Sequence, residues 1–274
     1  MNPTDQGTPA PFDIAAVGLG IVGVHHLTRE AQEIMRRCTE VFFIDTGYGE
    51  ADYLRDLCPR VTSLLPLYEV GESRLPTYRK MAAAVVTAAL DRPPVCFASY
   101  GHPLVFCYPT TLIRRAARLL DLRFEVAVGV SSLDTLLVDL SYDFSSDGLQ
   151  MYDATDLVLK RRPLQNDVPC VLWQTTSFAD SSYRRDGVGA DSLIALQRYL
   201  LQFYPPEHEV LVVLSRTHPA LRSIIESHPL AELAAGLARG TQSGTLFIPP
   251  VRRRPVADRE LSQQLSCTRS DEGR

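Results

Sequence analysis

Short apolar blocks alternate with longer stretches of mixed character along the first half of the chain. Phe12–Val17, Val41–Ile44, Val61–Leu65, Val95–Ala98 and Phe124–Val128 are apolar runs set off by polar, Gly or Pro positions. Such runs predict strands, and those without alternation predict burial on both faces of a parallel sheet. Helices are predicted from Thr28 to about Cys38, with Thr28 as N-cap, and over Tyr48–Leu57, Thr77–Leu90, Thr110–Leu120 and Leu133–Leu140. Pro76 suits the first helical position. In Thr110–Leu120 the arginines Arg114, Arg115 and Arg118 mark the wet face. Strand–helix alternation of this kind predicts an α/β sheet. The second half predicts strands at Leu157–Leu159, Val168–Gln174, Glu209–Leu214 and Ser243–Pro250, and helices at Ser192–Phe203, Leu221–Ile225 and Leu230–Leu237. The resulting division is a disordered lead-in at 1–11, an N-terminal α/β domain at 12–127, a C-terminal α/β domain at 128–250 and a flexible tail at 251–274.

Composition narrows the function classes. A net charge of −4 over 274 residues gives no electrostatic footprint for nucleic acid. No run reaches the length of a membrane span, and Met1–Pro11 lacks the order of a signal peptide. The six cysteines have no CxxC spacing and most lie in apolar contexts, which predicts buried thiols in a reducing cytoplasm.

Two turns carry candidate chemistry. Val95–Ala98 runs into Ser99-Tyr100-Gly101-His102-Pro103, and parallel sheets place ligands at the carboxyl ends of strands. Gly18-x-Gly20-x-x-Gly23 follows the first strand and suggests a dinucleotide site, with Asp45 as the acidic partner. Val24–Thr28 delays the helix that such a site requires. His25 and His26 are adjacent, so in a strand they face opposite ways, and no further ligand spacing completes a metal site. No metal is expected.

Four motifs in order resemble the tetrapyrrole methylase superfamily: Val17-Gly-Leu-Gly20, Tyr100-Gly-His-Pro103, Gly129-Val-Ser-Ser132 and Ser243-Gly-Thr245. The resemblance covers roughly residues 12–250, with Val128 standing where the family has Pro. It implies a class III methyltransferase: two α/β domains with S-adenosylmethionine in the cleft between them. Within that superfamily the chain is most similar to the borosin enzymes, which methylate backbone amide nitrogens of a ribosomally made peptide. The Tyr-Gly-His-Pro turn, Val171-Leu-Trp-Gln174, and Tyr68-x5-Arg74-x3-Tyr78 followed by Met81 carry that likeness.

The resemblance implies catalytic roles for Tyr68, Arg74 and Tyr78, and the chemistry gives them a reason. An amide nitrogen is a weak nucleophile because its lone pair is delocalised. A guanidinium suits the oxygen that becomes imidate-like, and a tyrosine lowered by a nearby cation suits the proton. Either Tyr68 or Tyr78 would suit as proton acceptor, with Tyr78 favoured as base and Tyr68 as the residue that orients the amide. For the cofactor the resemblance implies Tyr100, His102, Val105 and Phe106 on one wall, Ser131 and Ser132 on the methionine or adenine edge, and Gln174, Ser243, Gly244 and Thr245 from the second domain. Gly18 and Gly20 would then line the opening for the peptide, since this cofactor has no phosphate. The tail after Pro250 lacks an apolar core peptide, which points to a separate precursor supplied in trans. A homodimer is a further implication. The competing readings are a small-molecule methyltransferase of tetrapyrrole type and a non-catalytic cofactor-binding domain.

Overall fold

A computed structural model describes residues 10–44, 50–184, 189–239 and 244–264. Asp45, Ser243, nearly all of the lead-in and the last ten tail positions lie outside the described residues.

The first half builds one parallel sheet. β1 (Ile14–Gly18) leads through a 3-10 turn to α1 (Arg29–Arg37), β2 (Glu40–Ile44), α2 (Glu50–Leu57) and β3 (Val61–Ser63). α3 (Arg74–Asp91), β4 (Val95–Ser99), α4 (Tyr108–Leu119) and β5 (Phe124–Val126) follow. The strand order is β3-β2-β4-β1-β5, every pairing parallel. The side chains explain why these strands read as unbroken apolar runs. Ala15, Val17, Val41 and Phe43 pack with α1 and α2, while Ile14, Ala16, Phe42 and Phe97 pack with α3 and α4. Both faces are covered, so alternation disappears from the sequence. Thr28 caps α1 as expected, its Oγ1 accepting from the Ala31 N–H at 3.1 Å.

The second half begins with α5 (Ser132–Leu140), then β6 (Gln150–Asp153), α6 (Ala154–Leu159), β7 (Cys170–Trp173), α7 (Ala190–Leu200) and β8 (Glu209–Leu214). β9 (Ile224–Pro229), α8 (Leu233–Arg239) and β10 (Thr245–Ile248) complete it. Its sheet is mixed, in the order β6-β7-β10-β8-β9. Only β6 and β7 run parallel; the other pairings are antiparallel. α6, α7 and α8 cover one face and α5 the other.

Three expectations are corrected. Leu157–Leu159 is helical: the Asp153 carboxylate accepts from the Asp156 N–H at 2.9 Å and starts α6, so the strand is the preceding Gln150–Asp153. Leu221–Ile225 is not a helix; Ile224 opens the edge strand β9, which ends at Pro229, a residue tolerated at a sheet edge. α3 starts at Arg74, so Pro76 is its third residue rather than its first. That position is equally free of an intrahelical N–H partner, so the proline still fits. Among the described residues no helix is long and apolar enough to cross a membrane.

Candidate functional site

The site forms where the exits of β1 and β4 touch. Gly18 and Gly20 make that contact possible. A Cβ on Gly18 would lie 2.3 Å from the Gly101 carbonyl oxygen and 3.0 Å from the Gly129 Cα. Gly20 has φ +74° and exchanges backbone hydrogen bonds with Gly101 at 3.2 and 2.9 Å. Neither glycine lines a cavity of the site, contrary to the expectation that they border the peptide opening. Their role is to seat the turn at 99–103. The two histidines lie in a 3-10 turn, Gly23–His26, rather than a strand. His26 Nδ1 accepts from the Ile21 and Val22 N–H groups, both at 3.3 Å. Burial, then Arg216 and His25, hold its pKa below the usual value, which keeps that acceptor free of a proton. Among the described residues no three His, Cys, Asp or Glu side chains group to hold a metal.

Two cavities adjoin at this turn. The smaller, of about 230 Å³, has Tyr100, His102, Val105 and Phe106 on one side and Ser132, Trp173 and Gln174 on the other. The larger, of about 490 Å³, is bordered by Arg74, Asp153, Thr155, Ser177 and Asp180. Tyr78, Phe106 and Gln174 line both. His102 Nδ1 accepts from the Leu104 N–H at 3.0 Å, which fixes the ring. Phe106 sits at φ +53°, half exposed, its ring 5.7 Å from Trp173.

The cofactor residues expected from sequence therefore divide. Tyr100, His102, Val105, Phe106, Ser132 and Gln174 are brought together. Ser131 borders neither cavity; it is the N-cap of α5, its hydroxyl donating to Asp134 Oδ2 at 2.7 Å while its N–H donates to the same oxygen. That capping box uses the side chain locally. Gly244 and Thr245 also lie off both linings, Gly244 accepting from Thr175 Oγ1 at 3.3 Å. Ser99 was missed. It is 3% exposed, lines the smaller cavity, and its Oγ is buried with no hydrogen-bond partner. A buried hydroxyl left unpaired is costly, so this atom fits a polar group of a bound ligand. Its only sequence signal was a polar residue closing an apolar strand. Together with the Phe106 and Trp173 rings it gives the smaller cavity one aromatic and one polar side, the character needed for an adenosine-bearing cofactor.

The three residues expected to be catalytic surround the junction. Arg74 opens α3; its Nη2 donates to the Asp180 carbonyl at 2.7 Å and its Nε to the Ser181 carbonyl at 3.3 Å. Two donors are thereby engaged and the remainder of the fork is left for a ligand. Tyr78 lies one turn along the same helix. Tyr68 meets Tyr78 edge-on, ring centroids 6.3 Å apart, and stacks on Tyr183 at 4.5 Å. Burial pushes the Tyr68 hydroxyl well above the usual phenol range; the charge of Tyr78, a hydrogen bond with it, and Cys107 push the same way, and Arg74 pulls against them without prevailing. This reverses the expectation of a cation-lowered tyrosine at that position. Burial thus favours the protonated form of Tyr68.

Known proteins place this architecture. The chain is 25% identical to a methyltransferase/ribosomally synthesized cyclic peptide dendrothelin A precursor of Dendrothele bispora, over 90% of this chain and 60% of that protein. It is 26% identical to the corresponding omphalotin A precursor of Omphalotus olearius, over 88% and 58%. The chain thus spans about 60% of the length of these relatives. Among solved structures, uroporphyrin-III C-methyltransferase from Thermus thermophilus superimposes with TM-score 0.60 at 18% identity, covering 87% of this chain and 92% of that one. A structure of the same enzyme complexed with S-adenyl homocysteine gives TM-score 0.61 at 16% identity, over 86% and 96%. The family model of tetrapyrrole (corrin/porphyrin) methylases matches residues 13–225, and with that span covering the whole first sheet and the second as far as β8 the chain belongs to the tetrapyrrole methylase family.

Proposed function

We propose that this protein methylates backbone amide nitrogens of a ribosomally made peptide supplied in trans, using S-adenosylmethionine. The observation that carries the reading is the position of Tyr78, which borders both cavities with Arg74 on the far side and Ser99 on the near side. The smaller cavity would hold the cofactor through Ser99, Tyr100, His102, Ser132 and Gln174, with Phe106 and Trp173 against its rings. The bound cofactor supplies an electrophilic methyl group. Arg74 binds the carbonyl oxygen of the amide and stabilises the charge that grows there as the N–H proton leaves. That proton passes to the Tyr78 oxygen, which must be ionised to accept it. Tyr68, kept protonated by burial, donates a hydrogen bond to that oxygen and orients it. The amide nitrogen then takes the methyl group. The names of the relatives, which join a methyltransferase to a peptide precursor, support the substrate class.

The chain after β10 runs away from the cavities. Val251 N–H donates to the Asn166 carbonyl at 2.8 Å and Arg254 pairs with Asp167. Those partners precede β7, whereas Gln174 follows it, so residues 251–254 leave at the end of the sheet remote from the cavities. The free thiols of Cys38, Cys58, Cys96, Cys107 and Cys170 support a reducing, cytoplasmic setting. The two sheets with separate cores support two domains, 12–127 and 128–250. A homodimer belongs to the same reading and is read by size-exclusion chromatography with light scattering.

The test is mass spectrometry of short peptides encoded beside this protein, each co-expressed with wild type, Tyr78→Phe and Arg74→Ala. Mass gains of whole methyl increments on backbone nitrogens, lost in both variants, are expected. No gain on any peptide, with cofactor binding intact by calorimetry, overturns the reading.

A further inference from the structure

Two segments from opposite halves of the molecule meet beside the larger cavity. Residues 68–74, which lead into α3, run against residues 180–184, which follow β7. Gly71 N–H donates to the Tyr183 carbonyl at 2.9 Å, Tyr183 N–H to the Glu72 carbonyl at 2.8 Å, and Arg74 N–H to the Ser181 carbonyl at 2.9 Å. Ser73 and Ser182 form an isolated antiparallel bridge between them. Side chains reinforce this clasp. The Tyr183 ring stacks on Tyr68 with 29° between planes, and the Asp180 and Ser181 carbonyls hold the Arg74 guanidinium. Asp180 is itself fixed, accepting from the Ser182 N–H at 2.8 Å and pairing with Arg184.

The loop has few other anchors. Glu69, Val70, Gly71 and Glu72 are all exposed, and Gly71 at φ +89° has open space where a side chain would lie. Tyr68, at the start of this loop, packs at the margin of the core under α3 and stacks on Tyr183. We propose that Tyr183 is a positioning residue: its ring, presented by the C-terminal half, holds Tyr68 against Tyr78, and the backbone clasp around it aims Arg74. The proposal rests on the function given above. It assigns to the second half of the chain control over catalytic groups that all belong to the first. The groups facing Tyr68 are Tyr78, Arg74, Cys107 and Tyr183.

The experiment compares Tyr183→Ala, Tyr183→Leu and Tyr183→Phe with wild type. Each variant is followed by methylation kinetics, cofactor calorimetry and amide hydrogen exchange. Tyr183→Ala is expected to lower kcat about tenfold, the worth of one stacked aromatic pair. Cofactor affinity should stay within about twofold, and Tyr183→Phe should restore the rate. Tyr183→Leu keeps apolar bulk without a stacking face and should fall with Ala. In the exchange experiment, the amides of residues 68–74 should exchange faster in the Ala and Leu variants and as in wild type in Phe. Equal rates in Phe and Ala, or amide exchange that ignores the ring, overturns the proposal. Should wild type methylate no peptide, the function fails and the exchange experiment alone decides whether Tyr183 positions Tyr68.

Discussion

Replacing Arg92 by Met should destabilise the fold most at neutral pH and less in mild acid. Glu40 is 5% exposed, in the second strand of the first sheet. Its Oε1 accepts from Thr62 Oγ1 at 2.6 Å, and its Oε2 accepts from Arg92 Nη2 at 2.6 Å and Nε at 3.1 Å. Burial alone would raise the Glu40 pKa; the Thr62 and Arg92 hydrogen bonds outweigh it and the net shift is downward. A carboxyl whose folded pKa is depressed contributes stability above its unfolded value, and that stability is lost as pH falls through the folded one. In Arg92→Met the burial penalty remains and the guanidinium is gone, so the Glu40 pKa rises and the group is relieved by protonation at higher pH. Breaking a fully buried pair costs about 3–5 kcal/mol. The Arg92 side chain is 33% exposed, so water compensates in part and about 2–3 kcal/mol is expected near pH 7.5. For a chain of this size that lowers Tm by roughly 3–5 °C. Glu40→Gln combined with Arg92→Met should cost less than Arg92→Met alone, because no uncompensated charge stays buried. Urea denaturation near pH 7.5 and pH 5 reads the difference from wild type. A deficit that is unchanged or larger at pH 5 would refute the reasoning. Arg92 caps the end of α3, an 18-residue helix, about 27 Å from Arg74 at its start. Catalytic constants measured on the folded variant should therefore hold.

Two serines should separate cleanly. Ser99→Ala removes a hydroxyl that has no protein partner, so stability should be unchanged or slightly raised, while cofactor affinity by calorimetry should fall about fivefold for one lost hydrogen bond. Unaltered affinity would mean that Ser99 does not face the ligand. Ser131→Ala should do the reverse, costing about 1 kcal/mol in urea denaturation through loss of the α5 cap, with affinity preserved; a large loss of affinity there would restore Ser131 to the binding set.

The legible parts of the chain were those with a local cause. The first sheet announced itself because both faces are covered, and Thr28 because a cap is a short-range device. β9 was opaque: Ile224-Ile-Glu-Ser-His-Pro229 is an edge strand with neither alternation nor a buried run. Leu157–Leu159 misled because three apolar residues suit a strand or a helix, and the Asp153 cap that decides lies upstream. At the site, the spaced motif put Tyr68, Arg74 and Tyr78 forward as a set, and the structure gathers their side chains at the two cavities. The Ser99 orphan hydroxyl and the stacking of Tyr183 on Tyr68 were not, since each depends on segments distant in sequence. The rise of the Tyr68 pKa, where a fall was expected, has the same origin: sequence supplies the neighbouring cation but not the depth of burial.

The strand order of the second sheet bears on how the protein is made. β10 lies at its centre, between β7 and β8, and Leu246 pairs with both Leu172 and Val212. While the ribosome is still making residues before Thr245, β6–β7 and β8–β9 exist only as two half-sheets with unpaired inner edges. Gln174 and Trp173, on one of them, then have no firm backing. The first sheet, complete by Val126, can fold during synthesis, but the wall it shares with the second is assembled only after the central strand emerges. A chain arrested anywhere before Ile248 should therefore carry a folded N-terminal half and bind no cofactor, so that competence appears in one step late in translation.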